Sequence, residues 1–266
     1  HAERDGDIFV SGSEHCEIMK KIVNELLLAF QFMTRIPISG LPHERHALAR
    51  AAKFFPVVGL VIGLVAAAIQ RLLAGRVQHQ VLALVLIVYL VLITGALHED
   101  GFADAADGFG GGWTKEKILT IMRDSRIGSF GAIAVALSLL SRYVLIDTTV
   151  STRLPRFLVA SSVLCRWTSL PLGFWLPYAR EDKGLGGAVA GQLPLSSLLW
   201  GTGFAVVSVA AVLGFGSFLP WLITLLITAV SGLYFKQHIQ GVTGDCFGAT
   251  NQITEIAVYF YGALLQ

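Results

Sequence analysis

The chain has 266 residues, of which 54% are hydrophobic and 14% are charged, and its mean hydropathy is +0.66. This composition excludes an ordinary soluble globular protein and indicates a membrane protein. The net charge of +2 arises from short clusters between apolar runs, with no basic tract to bind nucleic acid. The three cysteines are far apart and lack Cys/His ligand spacing, which argues against a disulfide framework or a zinc site.

The first eighteen residues are polar and lack the basic region and apolar core of a signal peptide. We expect residues 1–18 to form a poorly ordered N-terminal extension, because polar chain ends are seldom held in place. No linker or internal repeat divides the rest of the chain. Residues 19–266 are therefore predicted to form a single membrane-embedded catalytic domain.

A transmembrane helix needs about 20 mainly apolar residues, and six stretches approach that length. They are residues 54–73, 80–97, 130–146, 154–176, 195–214 and 218–235. Two shorter stretches, residues 22–36 and 253–265, suit interfacial, re-entrant or bundle-packed helices. The sequence predicts an all-α fold, a polytopic membrane helical bundle with about six full spans plus one or two short or re-entrant helices.

Six spans place successive loops alternately on the two faces of the membrane. One face receives residues 35–53, 98–129, 177–194 and 236–252, which carry most of the loop lysines and arginines. The positive-inside rule makes this face cytoplasmic. Arg166 lies inside an apolar run, so we expect it to face the bundle interior or to pair with an acid.

An acidic motif, HEDGFADAADGFGGG, occupies residues 98–112 directly after the second apolar run. If the preceding helix continues through it, Asp100, Asp104 and Asp107 are spaced i, i+4, i+7 and share one face. Like charges at this spacing repel one another, so a cation would stabilise them. Ligation by oxygen alone favours Mg²⁺ or Mn²⁺, which also bind phosphate oxygens. The alternative is a solvated acidic loop that caps a helix.

Two further motifs lie on the same predicted face. In MRDSRIGSFG, Arg123 and Arg126 are three residues apart and offer paired donors to phosphate, although they could also simply follow the positive-inside rule. In TGDCFGAT, Asp245 could bind a metal, contact a substrate or cap the last helix. A metal beside guanidinium groups suggests phosphoryl transfer.

Five segments together resemble the cobalamin synthase family, also called adenosylcobinamide-GDP ribazoletransferase. They are TRIP (34–37), FFPVVGLVIG (54–63), HEDGFADAADGFGGG (98–112), MRDSRIGSFG (122–131) and TGDCFGAT (243–250). The resemblance extends from about residue 19 to the C-terminus and leaves residues 1–18 outside.

The resemblance implies a multi-pass protein of the bacterial or archaeal inner membrane, with its active site on the cytoplasmic face and Mg²⁺ as cofactor. The implied substrates are adenosylcobinamide-GDP and α-ribazole or its 5′-phosphate. The 5′ oxygen of the ribazole would attack the corrinoid-bearing phosphorus, and GMP would leave. Besides the lipid bilayer, a homo-oligomer or association with other cobalamin-assembly enzymes is left open.

Within this resemblance, Asp100 and Asp104 are expected to hold Mg²⁺, and Glu99 or Asp245 to complete the site. Asp104 and Asp107 are expected to be catalytic. Asp107 either binds the metal or accepts the nucleophile's proton. The expected substrate-binding residues are Arg123, Arg126, Asp124, Lys53, Arg35 and His98. Arg123 and Arg126 would neutralise the departing phosphate, with Asp124 orienting them.

Two other functions are consistent with parts of the sequence. A CDP-alcohol phosphotransferase also places aspartates at the end of a membrane helix, but its usual Arg position holds Asp104 here and its later paired aspartates are absent. A cation-coupled transporter could use the carboxylates as an ion site. Against it, the acids cluster at one face rather than at the midplane, and no inverted repeat is visible.

Overall fold

The computed structural model describes residues 3–41, 47–149, 151–181 and 185–265 of the chain. Within these ranges the regular structure is helical. The helices are α1 (Glu3–Met33), α2 (Ala47–Ala51), α3 (Phe55–Leu73), α4 (His79–Thr94), α5 (Leu97–Gly111), α6 (Lys115–Ile121), α7 (Ser129–Thr148), α8 (Leu154–Trp167), α9 (Ser169–Trp175), α10 (Leu195–Leu213), α11 (Phe218–Ile239) and α12 (Gly244–Leu264).

Four helical segments among the described residues are long and apolar enough to cross a membrane. They are Ala47–Leu73, Ser129–Thr148, Leu154–Trp175 and Leu195–Ile239, and the bent pair α4 and α5 adds a fifth if the two helices form one span. The prediction of an all-α polytopic membrane protein is therefore confirmed. The predicted number of six full spans is not fixed by these segments, because two of them are not simple straight helices.

The segment Leu195–Ile239 is one that is not straight: it contains α10 and α11, joined by a short 3₁₀ turn at Gly214–Ser217. Gly201 of α10 packs against Leu170, and Gly232 of α11 packs against Leu172. A straight helix would separate these two glycines by about 46 Å at 1.5 Å per residue, whereas their contacts are two residues apart. The segment thus folds back on itself, which agrees with the two separate spans predicted from the sequence.

The bent pair α4 and α5 is the other segment that is not straight, and it interrupts the predicted span at residues 80–97. Helix α4 ends at Thr94, and α5 begins at Leu97 at an angle of 85° to it. Between them Gly95 and Ala96 both have left-handed backbone angles, with φ of +64° and +59°. The acidic motif therefore lies on its own helix and not on a continuation of the apolar run, because Gly95 ends α4 in the manner of a helix C-terminal glycine.

The centre of the bundle is the segment formed by α8 and α9, nearly all of which is buried. Its neighbour α3 approaches closely through Gly59 and Gly63, since a Cβ at Gly63 would lie 2.7 Å from the Val159 Cα atom. Small residues four apart commonly allow such contacts between membrane helices. Protein surrounds this segment, so it tolerates the Arg166 and Pro171 that weaken its apolar pattern.

The last helix, α12, begins at Gly244 and is thus longer than the predicted apolar stretch at 253–265. It packs against α5, α7, α8 and α11. Gly101 of α5 and Gly248 of α12 face each other where these helices meet, with a Cβ at Gly248 falling 3.2 Å from the Gly101 Cα atom. This close crossing brings the acidic motif next to the start of α12.

Helix α1 is continuous from Glu3 to Met33 and so passes through residues 18 and 19 without a break. The division between a poorly ordered extension and a catalytic domain stays a prediction. Residues 22–33 of the predicted apolar stretch at 22–36 form the end of this helix, which does not qualify as a membrane span.

Candidate functional site

The acidic face of α5 lies at one end of the bundle. Along it Asp100 is exposed, Asp104 is half-buried and Asp107 is buried. Asp104 is within electrostatic reach of Asp100, Asp107 and Asp245. The structure therefore brings together the three aspartates of the motif and the aspartate of α12, as the sequence predicts.

Asp245 lies in the first turn of α12 and is held by two donors. Arg180 Nη2 donates to Asp245 Oδ2 at 2.8 Å, and Thr243 Oγ1 donates to the same oxygen at 3.1 Å. Burial raises the pKa of the Asp245 carboxyl, and the Arg180 guanidinium opposes this rise. The helix N-cap is Thr243, whose Oγ1 accepts from the backbone N–H of Cys246, so Asp245 is available for other contacts.

Arg180 is a site residue that the sequence motifs did not reveal. Its position depends on a short pairing of two loops, in which the Ala179 N–H donates to the Val242 carbonyl and the Val242 N–H donates to the Pro177 carbonyl, both at 2.9 Å. This pairing holds the segment after α9 beside the start of α12. The one available signal was that Arg180 and Asp245 fall in loops assigned to the same face.

Asp107 has a structural contact that its predicted functions did not include. Its carboxylate accepts backbone hydrogen bonds from Gly128 at 2.7 Å and from Gly131 at 2.8 Å. These N–H groups belong to the first turn of α7 and its N-cap, which have no partners within the helix and favour a negative charge. Asp107 thus caps α7 from a neighbouring helix, and its function as metal ligand or base stays a prediction.

Glu99 is buried and has a partner other than a metal. Arg142 Nη2 donates to Glu99 Oε1 at 2.8 Å, and Arg142 also lies 3.6 Å from Glu255. Oε1 of Glu99 is therefore engaged with α7 in the bundle interior, whereas its Oε2 has no hydrogen-bond partner among the described residues. Its function as a metal ligand stays a prediction.

A cavity of about 140 Å³ lies beside the aspartates, between α1, α3, α5, α9 and α12. Its polar lining comes from His98, Asp100, Ser169 and Asp245. Pockets that enclose a drug-sized ligand measure about 300–1,000 Å³. This cavity therefore has room for a small part of a large substrate, such as a phosphate or sugar group, but not for the whole of it.

The turn between α6 and α7 contains the predicted phosphate-binding arginines. Arg126 is bound by Asp124, with its Nε and Nη2 atoms donating at 3.0 and 2.7 Å, and its side chain is 87% exposed. The Arg126 guanidinium lowers the pKa of Asp124 to about 2. Arg123 is exposed in the same turn. Asp124 thus holds Arg126 at the surface, away from the cavity lining, and the phosphate-binding function of this turn stays a prediction.

Lys53 and Arg35 lie outside the cavity lining. Lys53 Nζ forms an ion pair of 2.7 Å with Glu25 of α1. Arg35 packs its side chain over Gly95 at the bend between α4 and α5, and its N–H donates to the Ile93 carbonyl at 2.8 Å. The TRIP segment that contains Arg35 therefore supports the bend from which the acidic helix begins.

The donor set can be compared with what Mg²⁺ requires. In the part of the chain that the structure describes, no three His, Cys, Asp or Glu side chains converge closely enough to enclose a metal ion. Mg²⁺, however, is usually bound by one or two carboxylates and completes its shell with water and substrate phosphates. Asp100, Asp104 and Asp245 offer oxygen ligands only, so they fit such an open site.

Comparison with known proteins connects this arrangement to one family. The family model for cobalamin-5-phosphate synthase matches residues 25–263. Proteins named adenosylcobinamide-GDP ribazoletransferase are similar to the chain. That of Ralstonia pickettii is 39% identical over 88% of this chain and 92% of its own length. That of Mesorhizobium japonicum is 38% identical over 90% of this chain and 92% of its own length. The Clostridium botulinum protein of that name is 36% identical over 90% of this chain and 96% of its own length. No solved structure gives a significant match. The chain therefore belongs to the cobalamin-5-phosphate synthase family.

Proposed function

We propose that the protein is an adenosylcobinamide-GDP ribazoletransferase, which joins α-ribazole or its 5′-phosphate to adenosylcobinamide-GDP and releases GMP. The observation that carries this proposal is that relatives of this name match the chain over about nine tenths of its length. The convergence of Asp100, Asp104, Asp245 and Arg180 at one end of the bundle supports it, because the reaction occurs at a pyrophosphate.

The reaction forms one bond and breaks one. The 5′ oxygen of the ribazole bonds to the corrinoid-bearing phosphorus, and the bond from that phosphorus to the bridging oxygen breaks, so that GMP leaves. The hydroxyl proton must be accepted, and Asp104 is the best-placed base because it is half-buried on the acidic face and accepts no hydrogen bond from the described chain. Arg180, which is paired with Asp245, would neutralise phosphate charge by exchanging this carboxylate for a phosphate oxygen.

Mg²⁺ is proposed as the cofactor, with Asp100, Asp104 and Asp245 as the residues that would hold it. When bound, it supplies positive charge that neutralises the pyrophosphate and the leaving group. A metal there would also relieve the repulsion among the carboxylates. Arg180 is the cation that offsets this repulsion in the contacts described above. Asp104 would then either bind the metal or accept the proton.

The active site is proposed to face the cytoplasm of a bacterial or archaeal cell. Contacts among three of the loops predicted for one face support this proposal, since Lys115 contacts Gln240 at 3.4 Å and Arg180 contacts Asp245. The excess of Lys and Arg in these loops assigns that face to the cytoplasm. A corrinoid too large for the cavity would remain at this surface, with only its pyrophosphate entering between α5 and α12.

The experiment is an assay of GMP release by the purified protein in lipid nanodiscs, supplied with adenosylcobinamide-GDP and α-ribazole, with and without Mg²⁺. We expect release that requires the protein, both substrates and the metal, and a corrinoid product heavier by the ribazole. Omitting α-ribazole is the control for simple hydrolysis. If folded protein releases no GMP under these conditions, or releases it equally without α-ribazole, the proposed transfer is wrong.

A further inference from the structure

Four buried charges lie in the interior of the bundle, separate from the acidic face of α5. Their exposed fractions are 1% for Arg142, 4% for Arg166, 7% for Glu99 and 6% for Glu255. Charged side chains at membrane depth are costly and usually pair with one another. The two positive and two negative charges would balance if all four belonged to one network.

Three of the four are directly connected. Arg142 of α7 lies 2.8 Å from Glu99 of α5 and 3.6 Å from Glu255 of α12. A hydrogen bond of 2.9 Å from Ser138 to Gln252 joins α7 and α12 nearby. This group alone carries one excess negative charge, which is unfavourable in a buried site.

Arg166 of α8 supplies the missing positive charge but has no ion pair of its own. Its Nη1 donates to the Ser162 carbonyl at 3.1 Å and to Cys165 Sγ at 3.6 Å, both on the same helix. Across the described ranges, no carboxylate lies within ion-pair distance of it. It is nevertheless close to the group around Arg142, because His98 is within electrostatic reach of both arginines and Cys165 is within reach of both arginines and Glu255.

Buried polar atoms with no protein partner occur both around Arg166 and in the group around Arg142. Glu99 Oε2 is an unsatisfied acceptor, Arg142 Nε and Arg166 Nε are unsatisfied donors, and Ser162 Oγ and both amide atoms of Asn251 also lack partners. Leaving a buried polar atom without a hydrogen-bond partner destabilises the folded state. Donors and acceptors that cannot reach one another directly are usually joined by buried water.

We propose that Arg166 is the fourth member of a charge-balanced network with Arg142, Glu99 and Glu255, completed by bound water, and that this network positions α5. Glu99 precedes Asp100 in the sequence, so fixing Glu99 also fixes the position of the acidic face. All four act as positioning residues. Their side chains fix how α5 packs against α7, α8 and α12.

The test is a double-mutant cycle on Glu99 and Arg166, measured as the apparent melting temperature of the detergent-solubilised protein. Glu99→Gln alone leaves an excess positive charge, and Arg166→Met alone leaves an excess negative charge. We expect each to lower the melting temperature by about 5–15 °C, because each leaves an uncompensated buried charge. The double variant is neutral, and we expect it to melt at a higher temperature than Glu99→Gln alone.

The matched control is Glu99→Gln with Arg71→Met, which removes a cation from an exposed position on α3. We expect this control double variant to melt no higher than Glu99→Gln alone. Recovery with Arg166→Met and not with Arg71→Met supports the network, whereas additive losses in the Glu99/Arg166 double variant overturn it. If Glu99→Gln does not accumulate in membranes, the membrane yield of the double variant replaces the melting temperature, with the same two outcomes.

The positioning function has its own readout, which rests on the proposed function. We expect Glu99→Gln to raise the Mg²⁺ concentration for half-maximal GMP release by about tenfold, as loss of support for metal ligands does. The double variant should return this concentration towards that of the unsubstituted protein. A double variant with recovered stability but no recovery in Mg²⁺ requirement overturns the positioning part, while failure of the proposed function would remove GMP release from every variant and leave the melting temperatures intact.

Discussion

Arg180 donates a 2.8 Å hydrogen bond to Asp245, and this contact joins the loop after α9 to the first turn of α12. Asp245 in turn lies against α5, where a Cβ at Gly101 would fall 3.1 Å from its Cα atom. Arg180 is also within electrostatic reach of Asp104. The Arg180 guanidinium therefore offsets carboxylates from two helices, Asp104 of α5 and Asp245 of α12.

The first prediction concerns Arg180. We expect Arg180→Ala to reduce kcat/KM for GMP release by roughly 10²- to 10³-fold, the usual effect of removing one donor to a developing anion. Arg180→Lys keeps the charge but loses the paired donors, so its loss should be smaller. Arg156→Ala removes an exposed arginine at the start of α8 and serves as the control. Normal kinetics of Arg180→Ala would exclude Arg180 from phosphate binding.

The second prediction separates the capping of α7 by Asp107 from its predicted function as a metal ligand or base. In Asp107→Asn one oxygen and the negative charge are lost, so the N–H groups of Gly128 and Gly131 can no longer both be satisfied. We expect a loss of about 1–3 kcal/mol in the free energy of unfolding. Thermal unfolding and GMP release should be measured on the same samples. Full stability with abolished turnover would instead identify Asp107 as a metal ligand or base.

The apolar runs were sufficient to predict the helical membrane fold, because their lengths match a bilayer and their composition leaves no other class. Helical spacing also placed Asp100, Asp104 and Asp107 on one face of α5 correctly. The bend at Gly95 and Ala96 was missed, since a glycine inside an apolar run is compatible with both a continuous and an interrupted membrane helix.

The partners of individual polar residues could not be predicted in the same way. Spacing along α5 gives the direction of each side chain relative to its own helix, but not which neighbouring helix it meets. Glu99 faces Arg142, and Asp107 faces the start of α7, because of how α5 packs. Arg180 depends on a pairing of two loops that no local pattern in the sequence indicates.

The third prediction tests the close approach of α3 and α8. A Cβ at Gly59 would collide with the backbone carbonyl of Ser162, which cannot move aside as a flexible side chain can. We expect Gly59→Ala to lower the free energy of unfolding by about 1–3 kcal/mol. Gly203→Ala is the control, because a Cβ there meets no atom within 4 Å. Equal melting temperatures for the two variants would contradict the packing of these helices.

The fourth prediction concerns Asp104, the proposed base or metal ligand. Asp104 makes no hydrogen bond or ion pair with the described part of the chain, and its nearest charges include three other carboxylates. Asp104→Asn removes repulsion and costs no contact, so we expect an unchanged or higher melting temperature, in contrast to Asp107→Asn. Turnover should nevertheless be abolished, because an amide neither accepts the hydroxyl proton nor binds Mg²⁺ as a carboxylate does.

GMP release and thermal unfolding of Asp104→Asn, measured with and without Mg²⁺, distinguish the outcomes. In the absence of substrate, Mg²⁺ should raise the melting temperature of the unsubstituted protein more than that of the variant. A ligand that binds the folded state more tightly stabilises it more. An active variant would remove Asp104 from the chemistry. An inactive variant that Mg²⁺ stabilises as strongly as the unsubstituted protein would assign Asp104 to proton transfer and leave the metal to Asp100 and Asp245.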